Sequence, residues 1–242
     1  MSRGYLIFAQ GKYIEMAKLL SKSISKTQSN ITNVTIITES YSDNVMLDRT
    51  KAYELSPYDE TVLLDADMIF LDDVSHWWNH LSKFPLLITS KVKTYRDEWV
   101  MYSPYRKTFV SNDLPNCYSA FCYFKKDPQV AEFFKLLESI ILNWDEWTML
   151  YALEDRQQWP SIDLAMAIAV KILDLDVTNK LDYPTFTHMK SGCQGWGYYD
   201  EIWRKQLGIY ISNDRLRLGN YLQSGILHYV DKEVSNELLR LF

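Results

Sequence analysis

Residues 61–73, TVLLDADMIFLDD, set Asp65 and Asp67 directly behind an apolar run. A carboxylate taken out of water there must be met by a counter-ion or by hydrogen bonds. Alternating acids at the end of a buried strand can turn toward one cation as the chain leaves the sheet, and such hard oxygen ligands suit Mg2+, Mn2+ or Ca2+. The plainer alternative is that Asp65 caps the strand end and Asp67 faces water. His76 and His80 in HWWNH share the i, i+4 spacing of a helical zinc pair. No Glu follows His76 and no third ligand is evident, so an amphipathic helix lying on the sheet is the better account. In FTHMKSGCQGWG, His188 and Lys190 precede a small-residue loop whose backbone amides, with Lys190, could meet an anionic or polar ligand. Its G-x-x-G-x-G string lacks the spacing and the strand-to-helix context of a dinucleotide fingerprint. With Trp196 it suits a flap near the substrate or an ordinary turn.

Elements that would position these groups can be read from periodicity. YLIFA, Gly11 and the helical recurrence of Ile14, Ala17, Leu20 and Ile24 predict strand, loop and helix. NVTIITES and TVLLD predict strands, the second carrying the acidic pair at its carboxyl end. DDVSHWWNHLSKF predicts a short helix with Asp72 or Asp73 at its start, and PLLITS another strand. From about residue 92 to 116 the chain is polar and aromatic without a clear period, which predicts an irregular excursion near a site mouth. CYSAFCYF then reads as a strand, PQVAEFFKLLESIILNW as a helix, and SIDLAMAIAVKIL as a helix capped by Ser161. The alternation predicts an α/β fold with a mixed, mainly parallel central sheet and flanking helices, in one domain over residues 1–242. Ligand sites in such sheets lie at the carboxyl ends of the strands, where Asp65 and Asp67 fall.

Composition narrows the function classes. The 242 residues are 47% hydrophobic and 24% charged, enough for a full core. A formal net charge of -5 argues against binding of polyanions, so nucleic acid is excluded as a partner. Three cysteines without a CxxC pair suggest neither a disulfide framework nor a zinc knuckle, and the short apolar run behind Arg3 is no signal-peptide core. No apolar run approaches a membrane span, and the expectation is a soluble, cytoplasmic protein.

Two enzyme classes place D-x-D after an apolar strand. DADMI comes within one substitution of the haloacid-dehalogenase-like phosphatase motif, but about sixty structured residues precede it and no GDxxxD follows. The longer segment RTKAYELSPYDETVLLDADMIFLDDV, residues 49–74, resembles the family 8 (glycogenin-like, LgtC-like) glycosyltransferases of the GT-A fold, in which a basic residue precedes "yxxvlyLDaDxlvlxdi". FAQGKYIEMAKLLSKSI is similar to that family's first strand, loop and helix, and GILHYVDKE to its C-terminal "H-x-x-G-x-x-K-P-W", with a shorter His-to-Lys spacing and no matching Gly.

The resemblance implies a UDP-sugar donor, UDP-glucose or UDP-galactose favoured, and a Mn2+ (or Mg2+) ion held by Asp65, Asp67 and His228. It implies Arg49 first and Lys51 second at the diphosphate or sugar, Ala66 within the acidic motif, and Lys232 at a phosphate. Tyr13 would stack on uracil, with Ala9 and Gln10 standing where the family has Thr and Asn. Asp163 matches the acid of the family's D-Q, with Leu164 in place of Gln, and would touch donor sugar or acceptor; Ser119 and Ala120 stand where the family has N-S-G. Transfer with retention to a carbohydrate, protein or lipid-linked acceptor follows from the same resemblance. A phosphatase and a non-catalytic nucleotide-sugar binding module remain the alternatives.

Overall fold

The computed structural model describes residues 1–101, 103–177, 182–193, 202–231 and 234–242. Its elements run β1 (Arg3–Phe8), α1 (Tyr13–Thr27), β2 (Val34–Ile37), α2 (Val45–Thr50), α3 (Ala52–Leu55), β3 (Glu60–Leu64) and β4 (Met68–Phe70). A 3-10 turn (Ser75–Trp77) leads into α4 (Trp78–Leu81), then β5 (Leu86–Thr89), α5 (Lys107–Ser111), β6 (Tyr118–Lys125), α6 (Pro128–Leu142), α7 (Trp144–Tyr151) and α8 (Ile162–Ile172). The C-terminal part holds β7 (Thr187–His188), α9 (Ile202–Leu207), β8 (Ile209–Ser212), β9 (Arg215–Leu218), β10 (Tyr221–Leu222), β11 (Ile226–His228) and α10 (Val234–Leu238).

The main sheet has the order β2-β1-β3-β6-β5. β1 pairs in parallel with both β2 and β3, whereas β6 runs antiparallel to β3 and β5, so four strands share a direction and β6 opposes them. β3 is the middle strand and all five of its residues are buried. Strand period two sends Leu6, Leu63, Cys122 and Phe124 to one face, packed under α6 and α8, and Tyr5, Ile7, Val62 and Leu64 to the other, under α1 and the turn leading into α4.

Caps and patterning explain the two helices over the first face. Asp127 accepts from the Gln129 amide at 2.9 Å, with Pro128 opening α6 where a missing N–H costs nothing. Ser161 accepts from the Leu164 amide and starts α8, eight of whose eleven residues are buried, consistent with a helix wedged between the sheet and α6.

A second sheet, β4-β11-β7, is joined to the first by the turn at residues 65–67. β4 pairs antiparallel with β11, and β11 in parallel with β7, which brings a C-terminal segment beside the acidic pair. Met16 and Leu19 of α1 join Ile69, Leu227 and Tyr229 in a third apolar cluster that anchors this sheet. No described helix is long and apolar enough to cross a membrane.

Candidate active site

β3 ends at Leu64, and the next three residues change sheets: the Asp65 amide still donates to Ala120 of β6 at 3.1 Å, while the Asp67 carbonyl accepts from the Tyr229 amide at 3.0 Å. Both backbones are therefore fixed, one to each sheet, and the side chains face the gap between them. His228, the last residue of β11, enters from the other side, its Nε2 lying 3.1 Å from Asp67 Oδ1 and 3.8 Å from Asp65 Oδ2. Ligand atoms of Asp65, Asp67 and His228 all lie within 4.8 Å of one another, the one metal-capable group among the described residues.

Electrostatics explain why this arrangement suits a cation. Burial alone would raise the Asp67 carboxyl, but the charge and hydrogen bond of His228 outweigh it and hold the group below its ordinary value. Reciprocally, burial lowers His228, and the Asp67 charge more than reverses this. A neutral imidazole presenting its Nε2 lone pair to two carboxylates is repulsive unless a proton or a metal ion lies between them, so the donor set fits a divalent ion, and its imidazole favours Mn2+ over Mg2+.

Arg49, from the last turn of α2, makes an ion pair with Asp65 Oδ1 and donates from its other terminal nitrogen to the Ser119 carbonyl at 3.1 Å. The guanidinium thus holds one oxygen of Asp65 and leaves the other facing His228. Lys51 goes elsewhere: its Nζ pairs with Glu138 of α6 at 2.8 Å, so the second basic residue expected at a diphosphate is engaged on the helical face. Residues two apart on a helical turn face away from each other, so Lys51 does not share the direction of Arg49.

The loop after β1 shares the carboxyl edge of the sheet with Asp65, since Ile7 is in register with Leu64. Ala9 is buried and its amide donates to Ile37 at 2.9 Å. Gln10 donates to the buried Asp48 carboxylate at 2.6 Å. Gly11, with φ 55°, supplies the left-handed residue that turns the chain into α1, and Tyr13 follows with 38% of its surface exposed.

Two cavities share a wall at the acidic turn. One lobe of about 240 Å³ is bounded by Asp65, His228, His188, Ser191, Arg106 and Asp163, among others. A second lobe of about 310 Å³ is bounded by Arg49, Met46, Trp159 and Ser161, and shares Asp65, Tyr105, Ser119 and Asp163 with the first. Trp159 is 66% exposed at its rim.

Asp163 projects from the first turn of α8 into that shared wall. Its Oδ1 accepts from the Ser119 amide at 2.9 Å and its Oδ2 from Arg106 at 2.5 Å. Arg106 belongs to the segment expected to be irregular, which instead contains a 3-10 turn and α5 and contributes several cleft residues. Nothing in the sequence singled Arg106 out; the cue was a basic residue within the aromatic run SPYRKTF.

His188 lies edge-on to the His228 ring at 5.3 Å, with Nδ1 sharing a hydrogen bond with Ser191 Oγ at 2.9 Å. Burial, His228 and Arg106 push it down to about 3, so its ring is neutral. Lys190 does not join it in the cavity lining; its Nζ lies 5.7 Å from the Trp203 ring centroid. Trp196, the last two glycines of the G-x-x-G-x-G string and Lys232 lie outside the described residues. Among the described residues His76 and His80 join no metal-capable group: one is in the 3-10 turn, the other in α4, and both rings pack edge-on to Tyr183.

No protein-family model matches the sequence, and no curated protein does. Solved structures do match. Mouse xyloside xylosyltransferase 1, in its apo form, superposes with a TM-score of 0.56 at 11% identity, over 95% of this chain and 98% of that one. Galactosyltransferase LgtC, in complex with donor and acceptor sugar analogs, gives 0.55 at 11% identity over 98% and 94%. The glycosyltransferase GlyE of Streptococcus pneumoniae TIGR4 gives 0.50 at 13% identity, over 98% of this chain and 60% of its own. The fold is thus the GT-A fold of these glycosyltransferases, as the sequence resemblance implied.

Proposed function

We propose that the protein is a glycosyltransferase that moves a hexose from a UDP-sugar, UDP-glucose or UDP-galactose favoured, to a carbohydrate, protein or lipid-linked acceptor. The observation that carries this reading is the convergence of Asp65, Asp67 and His228 at the junction of two sheets, with Arg49 on Asp65. Asp65, Asp67 and His228 would hold Mn2+ (or Mg2+), which when bound supplies positive charge against the departing diphosphate.

Arg49 adds a fixed positive charge beside that position, preorganised by Asp65 and Ser119. The loop of Ala9, Gln10 and Tyr13 lies on the same sheet edge and would take the nucleoside, with Tyr13 offering a ring face to the base. Asp163 holds sugar hydroxyls on the wall common to both lobes. Two lobes meeting at one charged wall favour transfer between two ligands over simple hydrolysis. Asp163 is engaged by both Ser119 and Arg106, a poor arrangement for a general base, and this favours retention with the leaving phosphate oxygen accepting the acceptor's proton.

A phosphatase is the weaker reading. β3 is central, as that chemistry asks, but no Lys lines either lobe among the described residues. Three buried free cysteines agree with a reducing, cytoplasmic setting for the transferase.

UDP release from UDP-glucose, UDP-galactose, UDP-N-acetylglucosamine, UDP-xylose, GDP- and TDP-sugars, with Mn2+ or EDTA, tests the proposal. The expected result is Mn2+-dependent release from one UDP-sugar, lost in Asp67→Ala and His228→Ala. Turnover of a phosphate monoester without release from any donor would transfer the acidic pair to a phosphatase.

A further inference from the structure

Arg106 is an arginine with almost no exposure that nonetheless borders a cavity. Its Nη1 donates to the Cys117 carbonyl at 2.6 Å and its Nη2 to Asp163 at 2.5 Å. The guanidinium carbon lies 3.7 Å from the Tyr118 ring centroid, 4.7 Å from Phe109 and 5.1 Å from Tyr105. Three aromatic rings and a carbonyl therefore set its plane, and the guanidinium in turn sets the Asp163 carboxylate, whose other oxygen is pinned by the Ser119 amide.

A guanidinium carries five N–H donors, and the two bonds described use two of them. Each carboxylate oxygen accepts one bond here and has a second lone pair. The pair is neutral overall, so it does not select a phosphate, which the carboxylate would repel. It offers acceptors and donors side by side in a fixed geometry, which matches a neutral polyol whose adjacent hydroxyls can give one hydrogen bond and take another. Both members border the lobe that also holds His228.

We infer that Arg106 is a positioning residue that locks Asp163 into a hydroxyl-reading pair, and that this pair sets which sugar the cleft accepts. The inference rests on the transferase reading and adds to it a residue and a role. The sugar read is either the donor's hexose or the acceptor, and the experiment distinguishes them.

Wild type, Arg106→Lys, Arg106→Met and Asp163→Asn are compared with Mn2+ present. One arm measures kcat/KM for UDP release from the preferred UDP-hexose and its C4 epimer; the other measures transfer to a panel of free sugars paired as epimers. Calorimetry of UDP alone and thermal unfolding accompany both. The expected result is a fall of about tenfold or more in epimer discrimination in one arm, with UDP affinity changed by less than about twofold. Arg106→Lys restores the charge and the folding but not the discrimination, because an ammonium lacks the planar fork. Unchanged discrimination in both arms, or full rescue by Lys, would overturn the inference and leave Arg106 a structural ion-pair partner. Wild type that binds no UDP would remove the transferase reading, and this inference with it.

Discussion

At the scale of single residues, Arg49 and Lys51 lie two positions apart, and the structure separates them. Arg49→Met should lower turnover by about 10²–10³-fold, the cost of removing one preorganised charge from a transition state. Lys51→Met should leave turnover within about twofold and cost about 1 kcal/mol or less, since its pair with Glu138 is partly exposed. Steady-state UDP release and urea midpoints for the two variants check this, and equal kinetic losses would contradict the geometry. Asp65 and Asp67 were legible because alternating acids after an apolar strand stand out, and His228 through the resemblance of GILHYVDKE to the family 8 C-terminal motif. Arg106 was not, because its partner lies 57 positions away and its own segment has no period. Lys51 pairs with Glu138 instead, because residues two apart on a helical turn face away from each other.

At the scale of elements, short polar contacts at helix starts carry the positioning. Ser161 caps α8 and also hydrogen-bonds Tyr105, two residues before Asp163. Ser161→Ala should cost about 1 kcal/mol in a denaturant titration. It should also weaken sugar discrimination more than UDP affinity, because the first turn of α8 carries the reading carboxylate. Asp73 precedes the 3-10 turn and accepts from the Ser75 amide at 2.8 Å. Hydrogen bonds from the Ser75 and Ser29 hydroxyls and from the Ser75 amide hold its carboxyl down to about 2 from an ordinary 3.8. A depressed carboxyl stabilises the fold above its unfolded value and loses that contribution as pH falls through its folded one. Asp73→Asn should therefore melt below wild type at neutral pH, by about 0.5 kcal/mol given solvent screening. The gap should close as pH falls from about 3.8 to about 2; a gap that persisted at the acid end would rule out the ionised contact as its source. α1 and α6 were legible because each buries one periodic face, and β1, β3, β6 and α8 because each is an apolar run of fitting length between polar stretches. The small sheet was not, since β4 and β11 have three residues each and β7 two, too few to display a period.

At the scale of the whole molecule, the proposed cation site joins chain segments 161 residues apart. Mn2+ should raise the unfolding temperature, by the equivalent of about 2.7 kcal/mol at a hundred times its dissociation constant, and His228→Ala should abolish the rise. Differential scanning fluorimetry with and without EDTA reads this directly, and an equal rise in the variant would place the ion elsewhere. The pairing of β4 with β11 also has a kinetic consequence. β1, β2 and β3 pair in parallel with modest separations in sequence, so a core of main sheet, α1 and α6 can form before the C-terminal segment docks. The proposed ligand set is completed only when that segment arrives, so an ion held by all three residues cannot template early folding. A refolding experiment should thus recover far-UV circular dichroism ahead of Mn2+ binding, with the lag measuring how long the chain waits, already collapsed, for its last strand.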